Sequence, residues 1–371
     1  MNRLKDFMIE SGLMTAMTIG AGIFGLPYVF VESGWFTGLL YLLVLGGLVA
    51  FTHALYFGVL HRAGTKDRLL GLSRKYFGRS GFQFGFVAVV GGLLLTLVVY
   101  LILGSEFLQL VFPGLDPRMS FALFWVIVSL PLFLAEQRFA KLEFLGVILM
   151  TLIIALIYFS ADTQGALAKF PATDGENFLL PFSVVLFSLA GWPILEPIYA
   201  FWRSRAAKAG IARPITALAL GTFFAAMLYF AFVLGIFGSA AAITENTVSG
   251  LTNWPDWKLG TLGILGLFAI WTSYVPIGFE IRNSLARDMK LGRVALLLVV
   301  LLPPALVLAG LDSFLTAIGL AGGVFLSLQY LLIILVSRKV LTLRGFKKLL
   351  AEFVALLFLI AAAYEAYYFA F

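Results

Sequence analysis

Apolar residues run along this chain in long stretches, separated by short segments that hold most of the polar side chains. Eleven stretches can be traced, at 7–31, 35–60, 83–112, 119–135, 142–160, 178–201, 214–237, 259–285, 294–310, 313–337 and 349–371. A helix of about 20 apolar residues crosses the hydrocarbon of a bilayer, so the pattern predicts an all-α polytopic membrane protein. A transmembrane barrel would instead alternate polarity over segments of about ten residues. No linker is long enough for a second folded unit, and a single transmembrane domain over 1–371 is expected.

Composition agrees. Of 371 residues 61% are hydrophobic and 12% charged, with a mean hydropathy of +1.02, whereas soluble domains carry about 25% charged residues. A water-soluble enzyme with one core is excluded. Cysteine is absent, which removes disulfides, thiolate metal sites and a thiol nucleophile. His53 and His61 are the only histidines and cannot form a His-rich metal cluster. No G-x-S-x-G, H-E-x-x-H or Walker motif occurs, so neither an enzyme nor an ATP-driven pump is expected. Met1–Asp6 leads straight into the first apolar stretch, and no cleavable signal is expected.

The net charge of +7 reads as topology. With the amino terminus in the cytoplasm, 23 of the 26 basic residues fall on inner segments, Lys66, Arg138, Lys141 and Lys208 among them; Arg118, Lys169 and Lys258 remain outside. Basic residues accumulate in cytoplasmic loops, so this split predicts both the orientation and an odd number of spans, with the carboxyl terminus outside. It leaves no need for a nucleic-acid partner. The partner that matters is the lipid bilayer of a cell (inner) membrane, and no oligomeric state is specified. The inner segment 61–82 mixes Leu69, Leu70, Leu72, Tyr76 and Phe77 with basic residues and is expected to lie along the membrane surface.

Two stretches are interrupted. The first reads Thr18-Ile19-Gly20-Ala21-Gly22-Ile23-Phe24-Gly25-Leu26-Pro27, and the sixth reads Phe187-Ser188-Leu189-Ala190-Gly191-Trp192-Pro193-Ile194-Leu195-Glu196-Pro197. Glycine and proline weaken a helix at mid-depth. Unpaired backbone survives there only when buried in protein or lining a cavity. Glycines also serve close helix packing, and either break alone would fit that use. The first and sixth helices, however, open two five-helix halves of opposite topology, about 7–160 and 178–337, with an accessory helix at about 349–371. Interruptions at corresponding places in inverted halves point to a transporter binding site.

Gly20-Ala21-Gly22-Ile23-Phe24-Gly25-Leu26-Pro27-Tyr28 resembles the G-(S/A)-G-I-(L/F)-G-L-P-Y/W segment of the amino acid/auxin permease family. That family belongs to the amino acid–polyamine–organocation superfamily and has the LeuT fold. Phe187–Tyr199, ending in Pro197-Ile198-Tyr199, is similar to the family's helix 6, and Lys75-Tyr76-Phe77-Gly78 to its linker between helices 2 and 3. Trp192 stands where eukaryotic members commonly carry histidine. The resemblance implies a secondary transporter of neutral amino acids with a 5+5 inverted repeat. It places the substrate carboxylate on amides of Gly20, Ala21, Gly22 and Ile23. The ammonium falls near carbonyls of Ile19, Phe187 and Ala190, and Gly191 completes the second break. The side chain falls against Ile23, Ser188 and Trp192, with Tyr100 of helix 3 added by depth alone. It also implies a sodium ion held by carbonyls of Ala16, Ile19 and Ala269 and hydroxyls of Thr272 and Ser273. Thr272 and Ser273 lie one helical turn from Ala269 and share its face. Membrane serines and threonines also bond to their own i−4 carbonyls.

Proton coupling is the alternative. Some proton-driven relatives place a helix 5 lysine at that spot, but Phe144–Ser160 holds no ionisable side chain except Tyr158. Of the acids Glu106, Glu196 and Glu280, only Glu196 reads as deep, with Arg203 as its expected neutralising partner and Arg282 beside Glu280. A transporter-like receptor that binds without translocating would need the same residues. Beyond the coupling ion, no cofactor is expected.

Overall fold

The computed structural model of the chain describes residues 2–64, 67–134, 140–205, 210–251 and 253–370, with the backbone alone at 2, 140–145, 249 and 370. Lys66, Arg138 and Lys208 lie outside the described residues, as do the side chains of Lys141 and Glu143.

Among the described residues, seven helical segments are long and apolar enough to cross a membrane: Trp35–Ala63, Leu69–Val111, Pro181–Arg205, Ala212–Phe237, Asp256–Arg287, Phe314–Val340 and Gly345–Phe369. An eighth is a bent pair, Arg3–Thr18 and Ala21–Glu32, turned by 51° at its break. Shorter apolar helices fill the remaining predicted places, at Pro117–Phe133, Ala140–Phe159 and Val294–Leu308. Taken in chain order these are spans 1 to 11, matching the hydropathy pattern to within a few residues at most ends.

Spans 3, 6, 8 and 10 form the middle of the bundle, each with 72% of its apolar window buried, against 33% for span 11. Span 11 packs on span 10. Span 3 lies along span 8, and the first half of span 1 lies along span 7. Two π-helical turns, Phe86–Gly91 in span 3 and Leu320–Leu326 in span 10, touch each other inside the bundle. Such turns shift the backbone register by one residue and free a carbonyl for other partners.

The segment 61–82 differs from its predicted place. Gly78 (φ 68, ψ −146) separates a short helix beginning at Leu69 from span 3 proper. Leu69, Leu70 and Leu72 are fully buried, and this helix packs on span 10. Arg68, buried at its start, is ion-paired to the buried Glu280 and the largely buried Glu196.

Candidate functional site

Span 1 stops being an α-helix at Thr18, passes through an extended Gly20 (φ −119, ψ −157) and resumes as a 3₁₀ turn over Ala21–Gly25. Span 6 stops at Ser188 and restarts with a 3₁₀ turn over Trp192–Ile194. The two breaks touch. A Cβ on Gly22 would lie 2.4 Å from Ser188 Oγ and 2.6 Å from Ser188 Cα, and one on Gly191 would lie 2.2 Å from Met14 Cε and 3.0 Å from Thr18 Oγ1. Neither Gly20 nor Gly191 has a positive φ, so close approach rather than handedness selects glycine here. The Ala21 and Gly22 N–H groups open a helical turn, where amides have no partner within the turn. Thr18 and Ser188 contribute the opposite pole, the carbonyl ends of two half-helices.

Those two carbonyls meet at Tyr229 of span 7, fully buried. Its hydroxyl lies 2.5 Å from the Thr18 carbonyl oxygen and 2.6 Å from that of Ser188, within donating distance of both. Nothing in the sequence distinguishes Tyr229, because a lone tyrosine in an apolar helix reads as packing. Tyr229→Phe would leave the buried Ser188 carbonyl without this donor, while that of Thr18 keeps the Gly20 N–H at 2.9 Å; an unpaired buried polar group costs about 1–3 kcal/mol. Tyr229→Phe protein is expected to unfold at a lower temperature than the wild type, by an amount set by about 1–3 kcal/mol; unchanged thermal unfolding in detergent would show that the bridge adds no stability.

Beside the breaks lies a cavity of about 10 Å³ lined by Met17, Leu93, Thr96, Tyr100, Phe187, Ala190, Trp192, Pro193, Ile277 and Leu326. Four predicted residues, Tyr100, Phe187, Ala190 and Trp192, therefore share one wall. Ile19, Ala21 and Ile23 are fully buried at the first break. The Tyr100 hydroxyl sits 2.6 Å, and Ser273 Oγ 3.1 Å, from where a Cβ on Gly20 would be. Met17, Leu93, Thr96, Ile277 and Leu326 were missed. They come from spans 1, 3, 8 and 10, and only the fold brings them together.

Ser273 crosses from span 8 to the end of the first half of span 1. Its hydroxyl donates to the Met17 carbonyl at 3.2 Å and lies 3.5 Å from that of Ile19. Ala16, one residue before Met17, is buried at the same helix end. The Thr272 hydroxyl donates to its own helix, 3.0 Å from the Phe268 and 3.1 Å from the Ala269 carbonyl oxygen. A Cβ on Gly146 of span 5 would lie 2.8 Å from Thr272 Cγ2. The span 5 position facing this spot is therefore glycine. These neutral oxygens are the donor type that broken membrane helices offer to a monovalent cation.

The expected neutralisation of Glu196 by Arg203 is corrected. Arg68 Nη1 lies 3.3 Å from Glu196 Oε2 and also binds Glu280, while the Tyr56 hydroxyl donates to Glu196 Oε1 at 2.6 Å. Arg282 donates to the Leu132 carbonyl at 2.6 Å. Proximity in sequence misassigned the partner of Glu196, since Arg68 reaches it from a different element. On the opposite face, the segment between spans 7 and 8 closes over span 1. The Thr247 hydroxyl donates to the Phe24 carbonyl, and Asn246 Nδ2 donates to Glu106 Oε2 at 2.8 Å. Thr247 holds φ 65, a rare conformation for a β-branched residue.

Two interrupted helices with facing polar ends, inside a bundle of apolar spans, define the LeuT fold. Solved structures agree. MhsT in complex with L-phenylalanine superposes with a TM-score of 0.69 at 15% identity, over 96% of this chain and 97% of that one. Mhp1, a nucleobase-cation-symport-1 family transporter, gives 0.66 at 16%, over 96% and 90%. A Na⁺-coupled sialic acid symporter gives 0.65 at 16%, over 95% and 88%. Residues 8–254 match the family described as transmembrane amino acid transporter protein, and the chain belongs to that family. A curated mouse (Mus musculus) relative, "Putative sodium-coupled neutral amino acid transporter 11", is 28% identical over 219 residues, 50% of this chain and 46% of its own length. The match spans less than half of that relative. Family and structural neighbours alike are transporters, not enzymes.

Proposed function

We propose that this protein is a secondary active transporter that carries neutral amino acids together with sodium by alternating access. The observation that supports it most is the meeting of the two breaks. Amides of Ala21 and Gly22 offer a site for a carboxylate, and the carbonyl end at Ser188, with the carbonyls of Ile19, Phe187 and Ala190, would offer one for an ammonium. A zwitterion needs both and needs no fixed charge. The cavity wall beside them is mostly apolar, which favours a neutral side chain.

Sodium is favoured over a proton because the position facing Thr272 is Gly146, which carries no ionisable group. Ala16, Ile19 and Ala269 would contribute carbonyls and Thr272 and Ser273 hydroxyls, once Thr272 turns from its own helix. We read the chain as one domain of two inverted five-helix repeats in a cell membrane. The face with the greater share of Lys and Arg would be cytoplasmic, placing the amino terminus inside and the carboxyl terminus outside.

The test is uptake of radiolabelled amino acids into proteoliposomes, with sodium or with choline outside. Uptake that needs sodium in the wild type and loses that dependence in Thr272→Ala/Ser273→Ala is the expected result. Equal uptake in choline would transfer the coupling to protons, and binding without uptake would make the protein a receptor.

A further inference from the structure

Trp192 is the largest side chain in the cavity wall and is fully buried. An indole has one polar group, a donor, and here Nε1 donates to Gln329 Oε1 at 2.6 Å. The other end of that amide, Nε2, donates to the Ala88 carbonyl at 2.8 Å. Because tryptophan only donates and a carbonyl only accepts, both partners dictate the same orientation of the amide. Ala88 lies in the π-helical turn of span 3, and Gln329 follows the π-helical turn of span 10. A Cβ on Gly92 would lie 2.4 Å from Gln329 Nε2, so the amide is confined on that side as well. Tyr56 packs edge-on to the indole, with ring centroids 6.1 Å apart, and is itself tied to Glu196.

We propose that Gln329 is a positioning residue that sets specificity: by fixing the Trp192 indole against the breaks, it limits the transported amino acid to those with small neutral side chains, namely glycine, alanine and serine. The inference rests on the amino acid transport reading above. A long or aromatic side chain would need space where the indole stands. Turning the indole away would break its bond to Gln329 and leave two buried polar groups unpaired, a cost that a small side chain avoids. Trp192 was singled out from the sequence, whereas Gln329 was not.

The test is uptake of glycine, alanine, serine, leucine and phenylalanine by reconstituted wild type, Gln329→Met and Trp192→Phe, read as kcat/KM ratios. The wild type is expected to prefer alanine to leucine by about a hundredfold, and Gln329→Met to raise the leucine-to-alanine ratio about tenfold. Trp192→Phe keeps an aromatic ring but loses the N–H, and is expected to move the ratio the same way. Ligand-induced thermal shifts of the purified proteins give the same ranking without transport. A merely structural Gln329 would lower uptake of every amino acid alike and leave the ratio unchanged, which overturns the proposal. Wild-type uptake of leucine or phenylalanine as efficient as that of alanine overturns it too, while leaving the transport reading intact. Wild type that neither binds nor moves any amino acid sinks both.

Discussion

Arg68→Ala is expected to lower the stability of the folded protein by about 3–5 kcal/mol, the usual cost of stranding a buried charge by removing its partner. Two carboxylates meet at this one guanidinium. The side chains of Arg68, Glu196 and Glu280 are 9%, 11% and 1% exposed, so water cannot replace the lost cation. Ser284 Oγ, 3.1 Å from Glu280 Oε1, and the Tyr56 hydroxyl on Glu196 would remain, but both are neutral. The measurement is thermal unfolding in detergent, with the monodisperse fraction after solubilisation as a second readout. The diagnostic comparison is Arg68→Met combined with Glu196→Gln and Glu280→Gln. Removing all the charges together should recover most of the lost stability, since a buried ion cluster replaced as a whole is often neutral or better. If Arg68→Ala unfolds with the wild type, the cluster is not holding the linker, span 6 and span 8 together.

Gly22→Ala and Gly20→Leu are expected to abolish substrate binding. At Gly22 even one carbon has no room, since it would fall 2.6 Å from the Ser188 Cα, which is backbone. At Gly20 the first carbon meets the Tyr100 hydroxyl at 2.6 Å, and a leucine would continue into the space between the breaks. Overpacking of this kind costs about 1–3 kcal/mol where neighbours can shift. The larger effect falls on binding, because the amides of the break can no longer face a ligand. Equilibrium binding of radiolabelled alanine to purified protein checks this, and wild-type affinity in Gly20→Leu would remove the breaks from the site.

Span positions were legible because hydropathy is a local property that the bilayer enforces residue by residue. The interruptions were legible for a related reason: Gly20, Gly22, Gly191, Pro193 and Pro197 act on their own backbone wherever they stand. Tyr229 and Gln329 were not legible. Their roles depend on partners 211 and 137 residues away, and nothing in their immediate sequence separates a bonded side chain from a packed one. The partners of Arg68 were not legible either. A basic residue between two spans fits the topology rule perfectly well, and only the fold turns it towards Glu196 and Glu280. The π-helical turns at Phe86–Gly91 and Leu320–Leu326 left no trace in hydropathy either, since shifting the hydrogen-bond register by one residue does not change which residues are apolar.

The phenol at Tyr229 owns a single hydrogen, yet faces two acceptors. It can toggle between them but cannot serve both in full, so the knot joining the rods is degenerate. Thr18 has a reserve, because its carbonyl also accepts the Gly20 N–H at 2.9 Å. When the phenol turns wholly to Ser188, the first rod is unhitched with its oxygen still satisfied. On that side the bond can be released without stranding a buried oxygen, whereas release from Ser188 takes away the donor that its carbonyl has from the phenol.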